Sequence, residues 1–156
     1  MMLNKQQGFS YVIAMFLVAG LSMLGLSRLQ VTLTNEKRDK EAQLLLAGQA
    51  YLNAIKSYYN GSTGSTNQYP PSLKALLEDN RTSTLHRHLR KLYVNPLSGI
   101  DDWVPVMAPG GGIMGVYAPS TEVPVKTGNF PPALAHFKDA KHYQEWKFIY
   151  ALPVPH

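Results

Sequence analysis

The longest apolar run of the chain lies close to its beginning. Between Lys5 and Arg28 there is no Asp, Glu, Lys, Arg or His, and residues 9–27 read FSYVIAMFLVAGLSMLGLS. A helix rises about 1.5 Å per residue, so about 20 such residues match the hydrocarbon thickness of a bilayer. The run is apolar on every face, unlike an amphipathic surface helix. The pattern therefore predicts a transmembrane helix over 9–28, in preference to the buried core helix of a soluble domain.

The helical pattern continues beyond Arg28. Residues 29–60 contain no proline and are rich in helix formers. They are polar and mixed in charge over 35–41. Apolar residues then recur at spacings of three and four and form a stripe, namely Leu44, Ala47, Tyr51, Ile55 and Tyr58. Because Asn60-Gly61 is a good C-terminal stop, we expect one helix of about 50 residues, with the stripe packed on a domain.

Two short helices are expected in the segment that follows. Tyr69-Pro70-Pro71 precedes Ser72, which is a suitable N-cap for a short helix with Leu73, Leu76 and Leu77 on its apolar side. Thr84 is a candidate cap for a second helix over 85–93.

The spacing of apolar residues changes to that of strands after the turn at 95–99. We expect strands over 103–107, 113–117 and 146–150, with Pro105 limiting the first to a sheet edge or a bulge. Residues 109–112, Pro-Gly-Gly-Gly, form the turn of a hairpin. The predicted fold class is α+β: a long N-terminal helix, membrane-spanning in its first half, packed on a small antiparallel sheet. The aromatic residues of the last strand, Trp146, Phe148 and Tyr150, or the residues that alternate with them, are expected to pack on the helix stripe.

The residues before the apolar run resemble a processing signal. The leader MMLNKQQG is short and weakly basic and ends in Gly8, and Phe9 opens the run. A secretory signal peptide would instead have an A-x-A-like site after its apolar region, and none of that type follows here. The combination of leader, Gly-Phe junction and apolar helix resembles the class III signal of type IV pilins and type II secretion pseudopilins.

This resemblance implies cleavage between Gly8 and Phe9 by a membrane peptidase, with methylation of Phe9 as the new N-terminal residue. The chain would then divide into a leader (1–8), a transmembrane helix (9–28) and a pilin-like periplasmic domain (29–156). Members of the family usually carry a glutamate at the fifth mature position, which pairs with the terminal amine of a neighbouring subunit. That position is Ile13 here. The chain departs from the family pattern at this point and avoids the cost of inserting a carboxylate into the membrane.

A second resemblance covers residues 69–103. The phrases YPPSLKALLED, HLRKLYVNPLSG and DDW are similar to those of major pseudopilins, in which a leucine-rich helix precedes a crossing into the sheet. Inside the apolar run, Gly20, Ser22 and Gly25 are small enough to let helices approach closely in a membrane. Either they serve helix packing in a filament core or the helix simply tolerates them.

The composition offers few groups for nucleic-acid binding, disulfide formation or metal binding. The formal net charge is +5, with 15 Lys and Arg scattered among 10 Asp and Glu, and no basic block predicts nucleic-acid binding. The chain has no cysteine, which excludes a disulfide. His86 and His88 are two residues apart and do not face together on a helix, as a zinc pair would require. Asp101 and Asp102 offer oxygen ligands, but two adjacent acids are too few for calcium. We therefore predict no catalytic or cofactor site and assign no metal ligand.

The resemblance implies a structural function with no catalytic step. The expected function is a subunit of a type II secretion pseudopilus or a type IV pilus in the inner membrane. Its expected partners are other pilin or pseudopilin subunits, the prepilin peptidase, and the inner-membrane assembly platform with its ATPase. The alternative is a single-pass membrane-anchored periplasmic binding or enzyme domain.

The charges that flank the apolar run do not favour a periplasmic head. Only Lys5 precedes the run, whereas Arg28, Lys37, Arg38 and Lys40 follow it. The positive-inside rule counts Lys and Arg near the membrane ends and, taken alone, places the head in the cytoplasm. Only Arg28 adjoins the membrane, however, and pilin-like chains insert with the leader inside. The expected topology is therefore a periplasmic head.

Overall fold

Helix α1, Gln7–Asn60, is 54 residues long and unbroken. In this computed structural model, residues 7–62, 67–81 and 83–151 are described, and within α1 the side chains of Ser10–Ala19 and of residues from Thr34 onward. The prediction of one long helix ending at Asn60-Gly61 is confirmed. The chain divides into two compact units, Met1–Lys37 and Arg38–His156. The described part of the first unit is helical throughout.

The second unit contains a three-stranded antiparallel sheet. Strands β1 (Val104–Met107), β2 (Ile113–Tyr117) and β3 (Phe148–Ile149) lie in the order β1-β2-β3. Val104 pairs with Tyr117, and Val116 pairs with Phe148. The coarse α+β prediction is therefore correct. The last strand is shorter than the predicted 146–150, because Trp146 closes the 3-10 helix Tyr143–Glu145 immediately before it.

The outer edge of the sheet is irregular, as the position of Pro105 predicted. Within the described residues β1 pairs with β2 alone, and its register shifts between Val106 and Met107. Proline has no N–H to offer another strand, and a bulge turns the edge away, so this edge is a poor template for further pairing.

The hairpin between β1 and β2 is fixed by glycine. Gly112 has a φ of +81°, and a Cβ there would come within 2.7 Å of the Tyr69 Cβ. The amide of the next residue, Ile113, donates to the carbonyl of Pro70 at 2.8 Å. Only glycine combines this backbone conformation with so close an approach, and the hairpin is thereby held to the segment before the first 3-10 helix.

The core lies between α1 and the sheet. The whole predicted stripe, Leu44 to Tyr58, is buried, together with Trp146 and Phe148 in a single hydrophobic cluster. Tyr51 in this stripe is also hydrogen-bonded, since its hydroxyl accepts from the Tyr93 amide at 2.9 Å. Burial raises the pKa of Tyr51 to about 12. Trp146 and Phe148 thus share the core with the stripe, as predicted, whereas Tyr150 is only partly buried against this cluster.

Three 3-10 helices occur among the described residues of this unit: Leu73–Leu76, Pro132–Asp139 and Tyr143–Glu145. The first is capped by Ser72, whose side chain accepts from the Ala75 amide, as predicted. The second contributes Leu134 and Phe137 to the core.

The predicted helix over 85–93 is wrong. This segment has no helical turn, because its backbone bonds to the chain that precedes it. Asp79 and His86 exchange two backbone hydrogen bonds, and the amides of His88 and Leu89 both donate to the Leu76 carbonyl.

Candidate functional site

The segment Ser10–Ala19 of α1 exposes large apolar side chains. All of its side chains are exposed and none carries a charge. Phe16 is 75 % exposed and Tyr11 69 %. Large apolar groups placed in water cost free energy in proportion to their area. A continuous exposed patch of this kind indicates a membrane or protein contact surface.

One face of this segment is concave. Tyr11, Ala14, Met15, Val18 and Ala19 line a groove of about 420 Å³. The five residues recur at helical spacings of three and four, so they lie on one side of α1. The small Ala14 side chain leaves a recess among larger neighbours, a shape that suits a side chain of a second helix.

The structure describes the side chains of only some of the predicted processing and packing residues. Ile13 lies in the exposed segment and is 46 % exposed. Gly8, Phe9, Gly20, Ser22 and Gly25 belong to α1, but their side chains lie outside the described residues. Across the part of the chain that the structure describes, no helix combines the length and apolar character that a membrane span requires.

A buried carboxylate of α1 binds a loop of the second unit. Glu41 is 2 % exposed. Its Oε1 accepts from the amides of Val125 at 2.6 Å and Lys126 at 3.1 Å, and from the Tyr143 hydroxyl at 2.9 Å. Burial and this hydrogen bond raise the pKa of Tyr143 well above its usual range. Glu41 thus attaches the loop at 125–128 to α1.

In the sequence, Glu41 ends the polar stretch of mixed charge at 35–41, and no role was predicted for it. The available signal was its spacing, since Glu41 precedes Leu44 by three residues and therefore lies on the buried stripe. A charged residue at a stripe position indicates a buried group with partners.

A second polar cluster holds the C-terminal end of α1. Asp79 is 4 % exposed, and Arg81 donates to both of its carboxylate oxygens, at 2.8 and 2.7 Å. The Arg81 guanidinium also donates to the Tyr58 carbonyl at 2.8 Å and lies over the Tyr58 ring. The hydrogen bond from Arg81 keeps the pKa of Asp79 well below its usual range. A cation at the carboxyl end of a helix is favourable, and α1 has none in its own last turn.

His88 connects this cluster to the helix. Its Nε2 lies 3.1 Å from Asp79 Oδ2 and its Nδ1 lies 2.8 Å from Ser57 Oγ. Because Asp79 is ionised and can only accept, Nε2 carries the proton, and Nδ1 accepts from Ser57 in the neutral ring. The His88 side chain is only 9 % exposed, so it belongs to this cluster and not to the solvated surface.

The order Ser57–His88–Asp79 has the connectivity of a nucleophile, a base and an acid. Two features favour a structural role instead. Ser57 lies in the last turn of α1, where the helix dipole is negative and opposes a developing oxyanion. Asp79 is also shared with Arg81, which holds the carboxylate in a bidentate pair.

Of the acidic pair at 101–102, Asp102 is bound to the turn before it. Asp102 Oδ1 accepts from the side-chain amide of Asn95 at 2.7 Å. Over the described ranges of the chain, no group of three or more His, Cys, Asp or Glu is placed to hold a metal ion.

Comparison with known proteins gives no match to a family model, to a curated protein sequence or to a solved structure. The functional interpretation of this chain therefore depends on its own residues and geometry.

Proposed function

We propose that this chain is a pilin-like structural subunit of a type II secretion pseudopilus or a type IV pilus. A prepilin peptidase processes it after Gly8. The helix from Phe9 then anchors it in the inner membrane, and the head lies in the periplasm. Subunits pack through their helices into a filament that supports secretion, assembled by the inner-membrane platform and its ATPase.

The exposed apolar segment carries this proposal. Ser10–Ala19 presents uncharged side chains to solvent, and it belongs to helix α1, Gln7–Asn60. A cytosolic or periplasmic surface does not leave such a segment in water. A bilayer before assembly and neighbouring helices after assembly would both cover it.

The construction of the head fits the same function. Arg38–Asn60 buries one face of α1 against the sheet, and two polar clusters, around Glu41 and around Asp79, fix the chain to the helix. The head is thereby attached along the helix and not at one hinge. Such an attachment suits a subunit that transmits force from its helix to its head.

One specific observation, the Ser57–His88–Asp79 connectivity, supports the alternative of an anchored binding or enzyme domain. It predicts a hydrolytic activity that is lost in Ser57→Ala. The filament function predicts assembly that is unchanged in the same variant.

Processing tests the proposal. The glycine before the scissile bond leaves room for the peptidase, so Gly8→Val in cells that contain a prepilin peptidase should accumulate as an uncleaved, unassembled precursor. Gly20→Ala is the matched control, since it alters a glycine downstream of the cleavage site and should leave cleavage unchanged. Processing of Gly8→Val at the normal rate would overturn the proposal.

A further inference from the structure

The loop Asn95–Asp102 is held rigid by a buried asparagine. Asn95 is 1 % exposed. Its amide donates to the Ile100 carbonyl at 2.9 Å, and its own carbonyl accepts from the Gly99 amide at 2.8 Å. Its side chain accepts from the Leu97 amide at 3.0 Å and donates to Asp102 at 2.7 Å. Both ends of the loop are therefore fixed to one residue.

This rigid loop presents an apolar residue next to a carboxylate. Ile100 is 62 % exposed, and Asp101 beside it is exposed as well. A single exposed isoleucine is ordinary, but a pre-ordered loop loses little conformational entropy when it binds. The Ile100–Asp101 pair is thus a small amphipathic projection of fixed shape.

A pocket with the complementary character lies elsewhere on the same unit. It has a volume of about 390 Å³ and lies between α1 and residues 125–128. Leu45 supplies apolar lining, and two cationic residues, Arg38 and Lys126, line it as well, with the Lys126 ammonium 5.2 Å from the centroid of the Phe130 ring. The carboxylate of Glu41 is turned inward to two amides and a hydroxyl. The charge that the pocket offers a ligand is therefore positive.

We propose that the Ile100–Asp101 projection of one copy docks in this pocket of a second copy. Ile100 packs against Leu45, and Asp101 lies between Arg38 and Lys126. This contact rests on the proposed filament function and adds a head-to-head interface to it. The two surfaces are different, so the contact is heterologous and propagates from copy to copy as an open array. Charge complementarity selects the register of the copies.

The absence of native cysteine allows a direct test by disulfide trapping. Asp101→Cys and Lys126→Cys are introduced into the full chain, singly and together, and membranes are oxidised with a mild catalyst. A disulfide forms only where Cα atoms approach to roughly 4.4–6.8 Å. Two singly substituted chains expressed together should give a mixed dimer, and the doubly substituted chain should give a ladder of higher multimers. The control replaces another exposed lysine, as Asp101→Cys with Lys74→Cys, and should give no ladder.

Charge reversal gives an independent measurement. Asp101→Lys should lower the yield of sedimentable multimers several-fold, as should Lys126→Glu. The combination of both should recover most of the loss, because the charges again attract. High salt should weaken the parent contact, since partly exposed charges are screened.

The outcomes separate this contact from the function on which it rests. If the unaltered chain forms multimers under an amine-reactive cross-linker but the 101–126 pair gives no more product than the Lys74 control, the docking contact is wrong and the filament function stands. If the unaltered chain forms no multimers in membranes that contain the assembly machinery, both are wrong.

Discussion

The ring of Phe148 in β3 lies against the backbone of Gly48 in α1, in the space that a Cβ atom at position 48 would occupy. Glycine inside a helix costs roughly 0.5–1 kcal/mol relative to alanine. The structure shows what offsets this cost. Without a Cβ at 48, the sheet approaches the helix closely enough to bury Phe148 completely.

Gly48→Ala should therefore destabilise the head although it improves helix propensity. The added methyl group overlaps the Phe148 ring, and overpacking of this kind typically costs about 1–3 kcal/mol. Urea unfolding of the detergent-solubilised full chain, followed by fluorescence of the buried Trp103 and Trp146, measures the change. Gly110→Ala, at an open turn position, is the control and should shift the midpoint little. A Gly48→Ala chain more stable than the parent would show that Phe148 is not seated on α1.

The contact between Glu41 and the 125–128 loop leads to a second prediction. Glu41→Ala leaves two amides and the Tyr143 hydroxyl without their acceptor, and each unsatisfied buried group costs about 1–3 kcal/mol. A loss of at least about 2 kcal/mol is expected, whereas Tyr143→Phe should cost about 1 kcal/mol. Glu36→Ala changes an exposed glutamate on the same helix and should stay within about 0.5 kcal/mol. Equal stabilities of the Glu41 and Glu36 variants would contradict the buried position of Glu41.

Acid should weaken the Asp79 cluster. The folded-state pKa of Asp79 is depressed, so its contribution to stability is complete above the unfolded pKa of about 3.9 and is lost as pH falls below that value. Asp79→Asn should lower the free energy of unfolding at pH 7 and lower it less at pH 3. Asp139→Asn, at an exposed position, should show no such pH-dependent difference. The described Asp79 cluster would be contradicted if the free energies of unfolding of the parent and of Asp79→Asn differed by the same amount at pH 7 and at pH 3.

Whether an element could be predicted from the sequence depends on how far apart in the sequence its interacting residues lie. The extent of α1 and its buried stripe depend on spacings of three and four residues, and the hairpin depends on a local turn at 109–112. These elements were predicted correctly because the relevant signals lie within a few residues of one another.

The parts that were missed depend on distant residues. Glu41 is bound by Val125, 84 residues further on, and by Tyr143, 102 residues further on, and no local pattern contains this pairing. The segment 85–93 has helical composition, but backbone bonds to Leu76 and Asp79 keep it from forming a helix. Long-range hydrogen bonds overrode local propensity at that point.

Orientation is the riskiest part of the functional proposal, because the positive-inside rule favours the opposite topology. Two reporters are fused after His156, one active only outside the cytoplasm and one only inside it. The outside reporter should be active, since the peptidase acts on a leader that stays in the cytoplasm. Activity of the inside reporter alone would place the head in the cytoplasm, where it could not join an extracytoplasmic filament.

The intact mass of the membrane-extracted protein tests the central proposal most directly. The pilin-like account predicts a chain that has lost residues 1–8 and gained one methyl group on Phe9. Mass spectrometry after proteolytic digestion should place that methyl group on the N-terminal peptide, which begins with Phe9. A chain that keeps MMLNKQQG, or that is cut at another bond, would contradict the account and leave the anchored-domain alternative in its place.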